Sequence, residues 1–212
     1  MNVPRETAAD LLSINAVFLR PQEPFTWASG IKSPIYCDNR LILSAPEVRT
    51  RIENRLAELI QIEFPTAQVL MGTATAGIAH AALAAERLHL PMGYVRSGAK
   101  SHGRGNQIEG RLEPGARVVV VEDLISTGGS SLEAVESLRE AGAEVLGIAA
   151  LFTYRMSKAD ERMGAAGVKA VALSNLDELV EVAVESGYLA ADQGPSVLQF
   201  RDDPAGWEGR FA

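Results

Sequence analysis

Cysteine is nearly missing from this 212-residue chain. Cys37 stands alone, so no disulfide can form within the chain, and a reducing compartment fits. Basic residues are the minority, 20 against 27 acids. The formal charge of −7 argues against a dedicated nucleic-acid binder while leaving room for a local basic patch. A membrane-length apolar run is absent too. A long stretch without Lys, Arg, Asp or Glu, residues 67–85, holds Gln68, Gly72, Thr73, Thr75, Gly77 and His80 and reads as strand, turn and helix. The N-terminal MNVPRETAADLLS carries acids where a signal peptide needs an apolar core, so a cytoplasmic location is expected and no membrane partner. No repeat, low-complexity tract or interdomain linker interrupts the chain. A hydrophobic content of 47% with 22% charged residues excludes a disordered chain, and the length suits a single domain, residues 1–212.

Periodicity divides the chain into elements. A first helix is expected within residues 5–19, with Leu11, Leu12, Ile14 and Val17 on its apolar side. A second follows Pro46, its stripe formed by Val48, Ile52, Leu56, Leu59, Ile60 and Phe64. Short apolar runs of strand character then occupy 67–72, 92–96, 116–124, 143–154 and 168–174, with helices expected at 77–88, 131–141 and 158–164. Apolar strands alternating with helices indicate an α/β fold, a mostly parallel sheet covered on both faces. Ligands of such sheets bind outside the carboxyl ends of the strands, which directs attention to three loops.

The first, GTATAG (72–77), is small enough for backbone N–H groups to approach an anion at a helix N-terminus; it equally suits a tight turn in which Gly77 serves packing. The second, EDLISTGGSS (122–131), has more chemistry. Ser126, Thr127, Gly128, Gly129 and Ser130 offer successive N–H donors and hydroxyls, a phosphate cup without the Gly-Lys-Ser/Thr ending of a nucleoside-triphosphate loop. Carboxylates repel phosphate, so Glu122 and Asp123 would face sugar hydroxyls or waters on Mg²⁺, unless they are two solvated acids at a strand end. The third, RSGAKSHGRGNQIEGR (96–111), sets Arg96, Lys100, Arg104 and Arg111 against Glu109, with His102 in the middle. It reads as a basic lid over a polyanion or as a solvated loop; a nucleic-acid hairpin is disfavoured because no aromatic interleaves the charges. Two phosphate-type cups, an acid pair and a cationic lid describe a ligand with separated phosphates around a sugar.

VVVVEDLISTGGSS resembles the phosphoribosyl-diphosphate (PRPP) motif of type I phosphoribosyltransferases. FTWASGIKSPIYCDNR (25–40) and YVRSGAKSHGRGNQIEG (94–110) resemble the N-terminal segment and catalytic loop of the orotate branch, and the likeness runs over about 25–155. The resemblance implies a single domain of that fold, with a small hood, mainly residues 1–40 with C-terminal helices, and a mobile loop at about 97–111. It implies Mg²⁺-dependent transfer of the phosphoribosyl group from PRPP to N1 of orotate, giving orotidine 5′-monophosphate and pyrophosphate in pyrimidine (UMP) biosynthesis. Mg²⁺ would be held mainly by PRPP and water near Glu122 and Asp123.

The roles transfer by position. Ser126, Thr127, Gly128, Gly129 and Ser130 would cradle the 5-phosphate, with Leu124 and Ile125 leading into the cup. Glu122 and Asp123 would take the ribose hydroxyls. Thr73 and Ala74 would lie along the pyrophosphate, where the family often has a non-proline cis peptide. Arg96, Lys100 and His102 would bind pyrophosphate, and Lys100, His102 and Asp123 would be catalytic, His102 by binding phosphate or by delivering a proton. Ser126 and Arg155 would contact orotate. A homodimer with loops shared between subunits is implied. Lysines that some members carry are absent at Ala28, Ala76 and Ser97, and Lys32 is a candidate substitute. Two rival readings are a purine enzyme of the same class, opposed by the 25–38 segment and the lid, and a PRPP-binding regulator, opposed by the lack of a basic module.

Overall fold

The computed structural model describes residues 2–26, 30–96, 98 and 107–207. Helix α1, Val3–Ser13, starts from Asn2, whose side chain accepts from the Arg5 amide, with Pro4 tolerated in the first turn. The helix expected within residues 5–19, with Val17 on its apolar side, starts at Val3 and stops at Ser13. Ile14 closes it, Asn15 takes a left-handed φ of 53°, and the chain leaves as strand β1, Val17–Leu19. The apolar spacing of Leu11, Leu12 and Val17 is therefore shared by two elements that bury into one core. Strands β2 (Phe25–Thr26) and β3 (Lys32–Ser33) form a small antiparallel ribbon, and β4 (Ile35–Cys37) pairs antiparallel with β1. A 3-10 turn, Asn39–Ser44, leads to α2, Pro46–Glu63, which buries Val48, Ile52, Leu56 and Ile60.

The main sheet then assembles from β5 (Val69–Thr73), β6 (Met92–Val95), β7 (Ile108–Glu109), β8 (Arg117–Ile125), β9 (Glu144–Thr153) and β10 (Ala170–Asn175). Helices α3 (Ala76–Leu88), α4 (Gly129–Glu140) and α5 (Ser157–Ala165) connect successive parallel strands; α6 (Leu176–Glu185) and α7 (Gly194–Asp202) close the described chain. The strand order is β10-β9-β8-β5-β6-β7, parallel throughout except for β7. That last strand lies inside the stretch expected to be a structureless lid: Ile108 and Glu109 pair with Val95 and Tyr94, so the end of that loop belongs to the sheet.

Strand alternation sorts the apolar residues into two cores. Val119 and Val121 of β8 join α1, α2, α3, α6 and the hood strands in the larger one, while Val118 and Val120 join α4 and α5 in the smaller. Strands β5 and β8 are sheet neighbours, yet the chain runs from β5 to β6 on one side before returning to β8 on the other. Their carboxyl ends thus frame a topological switch point, and the two motifs expected to bind phosphate leave from those ends. Among the described residues no helix is long and apolar enough to cross a membrane.

Candidate active site

The turn after β5 is held by close packing. A side chain at Gly72 would meet the Gly77 carbonyl at 2.8 Å, and one at Gly77 would meet the Val121 carbonyl at 2.5 Å and Thr73 Oγ1 at 2.6 Å. Helix α3 therefore starts hard against β8. The Ala74–Thr75 peptide between the two glycines is cis. Ala76, one of the positions lacking a lysine, opens α3.

On β8 the two acids diverge. Glu122 continues the face of Val118 and Val120 and turns inward, only 5% exposed. Its Oε1 accepts from Thr73 Oγ1 at 2.6 Å and from the Asp123 amide at 3.1 Å; its Oε2 accepts from Ser131 Oγ at 2.9 Å. Burial pushes its pKa up to about 7, the neighbouring Asp123 charge adding to the effect and the two hydroxyl donors opposing it. Glu122 ties the turn after β5 to the first turn of α4, because strand alternation sends it into the sheet–helix layer. Asp123 is half-buried, and its charge is felt by Cys37, Arg40 and Tyr154 on the hood side.

Beyond Ile125, the cup residues Ser126 and Thr127 lead to Gly128, which caps α4 with φ 74°. A side chain there would also meet the flexible end of Met163 at 2.8 Å, but it is the left-handed backbone that calls for glycine. Helix α4 begins at Gly129, two residues earlier than its periodicity indicated, which brings Gly129 and Ser130 into its first turn with their amides at the helix N-terminus. Thr73, Ala74, Arg96 and Ser130 line one small cleft together with Gln107 and Glu133. Arg96 is paired there with Glu109 at 3.3 Å. Lys100, His102 and Arg104 lie outside the described residues, as do Trp27, Ala28 and Ser97.

On the hood side of β8 a cavity of about 450 Å³ is lined by Phe25, Thr26, Tyr36, Cys37, Leu124, Ser126 and Tyr154. Phe25 and Tyr36 pack at 5.5 Å between ring centroids, and Lys32 Nζ donates to Thr26 Oγ1 at 2.7 Å on the cavity rim. Arg155 is elsewhere. It lines a separate cavity beside Thr153 and Asn175 and pairs with Asp177 at 3.3 Å. Ser126, Leu124 and the segment 25–40 were read in the sequence; Tyr154 was not. Tyr154 ended an apolar strand and was indistinguishable there from a core residue. Ser131 was a polar residue one place beyond the cup, and its partner Glu122 only becomes evident once α4 is placed.

A family model described as the phosphoribosyl transferase domain matches residues 42–184. The orotate phosphoribosyltransferase of Listeria monocytogenes is 56% identical over 207 residues, 98% of this chain and 99% of its own. The chain belongs to the orotate phosphoribosyltransferase family. Two solved structures of the family agree in fold. That of the Aeropyrum pernix orotate phosphoribosyltransferase has a TM-score of 0.74 at 32% identity, covering 86% of this chain and 99% of the other. That of the Mycobacterium tuberculosis orotate phosphoribosyltransferase, in complex with 5-phospho-alpha-D-ribosyl 1-diphosphate, has a TM-score of 0.63 at 26% identity, covering 84% and 98%. The chain is thus a phosphoribosyltransferase, a pentosyltransferase by reaction type.

Proposed function

We propose that this enzyme transfers the 5-phosphoribosyl group of PRPP to N1 of orotate, releasing pyrophosphate and forming orotidine 5′-monophosphate. One observation carries the reading. A phosphate cup, a half-exposed carboxylate and a cleft carrying Arg96 converge at one switch point, next to an aromatic cavity of about 450 Å³ with room for a base. In this reading residues 126–130 hold the 5-phosphate, Asp123 holds the ribose hydroxyls, and Glu122 fixes the two loops between which the sugar lies. Thr73, Ala74 and Arg96, joined by Lys100 and His102, take the pyrophosphate. Ser126 meets the base, with Arg155 turning from Asp177 to join it, and the Lys32–Thr26 pair on the rim offers the anionic base a cation where some relatives have a lysine at position 28.

The N1–H proton of orotate leaves as the N1–C1 bond forms, and pyrophosphate, which gains negative charge as the C1–oxygen bond breaks, is a base that can accept it. The costly event is cleavage of the C1–oxygen bond, with positive charge growing on the sugar and negative charge on the departing pyrophosphate. Preorganised charges of the opposite sign lower that barrier. Among the described residues no group of three or more acids, histidines or cysteines could hold a metal by itself. The single half-exposed Asp123 instead fits Mg²⁺ retained by substrate phosphates and water with one protein carboxylate nearby, where the ion would neutralise pyrophosphate charge.

The test is loss of orotate absorbance on mixing the enzyme with orotate, PRPP and Mg²⁺. Turnover of a purine base with orotate untouched would overturn the assignment.

A further inference from the structure

Asp123 is missing from the registers of both neighbouring strands. Strand β5 pairs with β8 only as far as Val121, and β9 meets Glu122 and Leu124 on either side of it. Main-chain groups left outside a ladder need other partners, and here side chains supply them. The Asp123 amide donates to Glu122 Oε1 at 3.1 Å, while its carbonyl accepts from Asn39 Nδ2 at 2.7 Å. Asn39 comes from the 3-10 turn that follows the hood strands and is 1% exposed. Its other amide atom is also committed: Asn39 Oδ1 accepts from the Cys37 thiol at 3.3 Å. Burial pushes that thiol's pKa up, which keeps it a donor and fixes the orientation of the amide. Cys37 is a wall of the base-side cavity, and its main chain meets the buried Tyr154 hydroxyl, a second wall.

We propose that Asn39 is a positioning residue: it aims the Asp123 carboxylate at the sugar and makes that aim depend on the cavity wall at Cys37. The inference rests on the function proposed above. Asp123 lies beyond the last β5 pair at Val121, on a stretch of β8 whose pairing with β9 continues at Leu124, and two buried side chains from different parts of the chain grip its backbone. Filling the cavity presses on Cys37, and Cys37, Asn39 and Asp123 form one chain of hydrogen bonds, so occupancy by the base is transmitted to the carboxylate before bond cleavage.

The test compares steady-state kinetics of Asn39→Leu and Asn39→Asp with the wild type, each alone and combined with Asp123→Asn. Leu removes both hydrogen bonds; Asp keeps the size and the acceptor but loses the donor to Asp123. Both variants are expected to lose roughly 10-fold or more in kcat, the scale of a small misplacement of a reacting group, while the KM for orotate moves by less than about threefold. In the Asp123→Asn background either substitution should lower kcat by less than about twofold, because its target is already gone. Wild-type kcat in Asn39→Asp, or an equal loss in both backgrounds, overturns the proposal; the second result would mark Asn39 as a structural residue only. Should Asn39→Leu fold poorly by circular dichroism, the isosteric Asp variant decides alone. Wild-type turnover of orotate is read in the same plates, so failure of the proposed function shows there, independently of position 39.

Discussion

Replacing Glu122 by Gln should flatten the pH dependence of folding stability across the neutral range. Glu122 is 5% exposed in the fold, where its pKa is about 7 against an ordinary value of 4.5. The native state therefore holds a proton that the unfolded chain has released over the interval between those values. The associated stability is fully present below about pH 4.5 and is lost as the pH rises through about 7, beyond which the curve is level again. At about 1.4 kcal/mol per pH unit, the interval from 4.5 to about 7 corresponds to about 3 kcal/mol. Gln has no charge to desolvate. Its oxygen can keep the Thr73 and Asp123 donors, and its amide can donate to Ser131, whose hydroxyl turns to accept. Urea unfolding of both proteins from about pH 5 to about pH 8 should show the variant gaining on the wild type by about 2–3 kcal/mol, most of it between about pH 5 and about pH 7. A difference that stays constant with pH would refute the reasoning, since it would mean that Glu122 ionises in the fold as it does in the unfolded chain.

Three further outcomes are expected. Gly77→Ala forces a methyl to within 2.5 Å of the Val121 carbonyl. It should cost about 1–3 kcal/mol in denaturant unfolding and weaken PRPP binding measured by calorimetry. His80 and Glu53, both fully buried and 2.5 Å apart, join α3 to α2, so His80→Leu, which strands the Glu53 carboxylate, should cost about 3–5 kcal/mol by the same unfolding measurement. Lys100→Ala should lower turnover by about 10²-fold or more with folding intact, and mixing it with Asp123→Asn subunits should recover activity if the loop acts across a dimer; recovery no better than either variant alone would sink the shared-site idea.

What was legible beforehand follows from what each element depends on. The runs at β5, β8 and β9 are apolar on both faces because both faces are covered, so they announce themselves without any partner. The stripe of α2 is equally self-contained. The hood strands are two or three residues long and exist only by pairing, Val17 with Cys37 and Phe25 with Ser33, which no local pattern reveals. For α1, apolar spacing continued past the point where Asn15 turns the chain. At the site, the cup and the acid pair were readable because small residues and charges at a strand end are chemically conspicuous. That Glu122 faces inward was not, since its partners Thr73 and Ser131 come from two other elements. The contacts joining Cys37, Asn39 and Asp123 were equally hidden, because they depend on where β5 leaves β8.

The unequal division of the two cores has a consequence for how the molecule breathes. Helices α4 and α5 lean on the smaller of them, and α4 carries the cup. A layer with less buried apolar contact is the one that opens at lower free energy, and its amides should exchange with solvent before those of α2 or β9. Phosphate bound at the head of α4 would then act as a clasp on that layer, slowing the exchange in proportion to its occupancy. Enzyme waiting for substrate would be a looser object than enzyme at work, and the looseness would be confined to one side of the sheet.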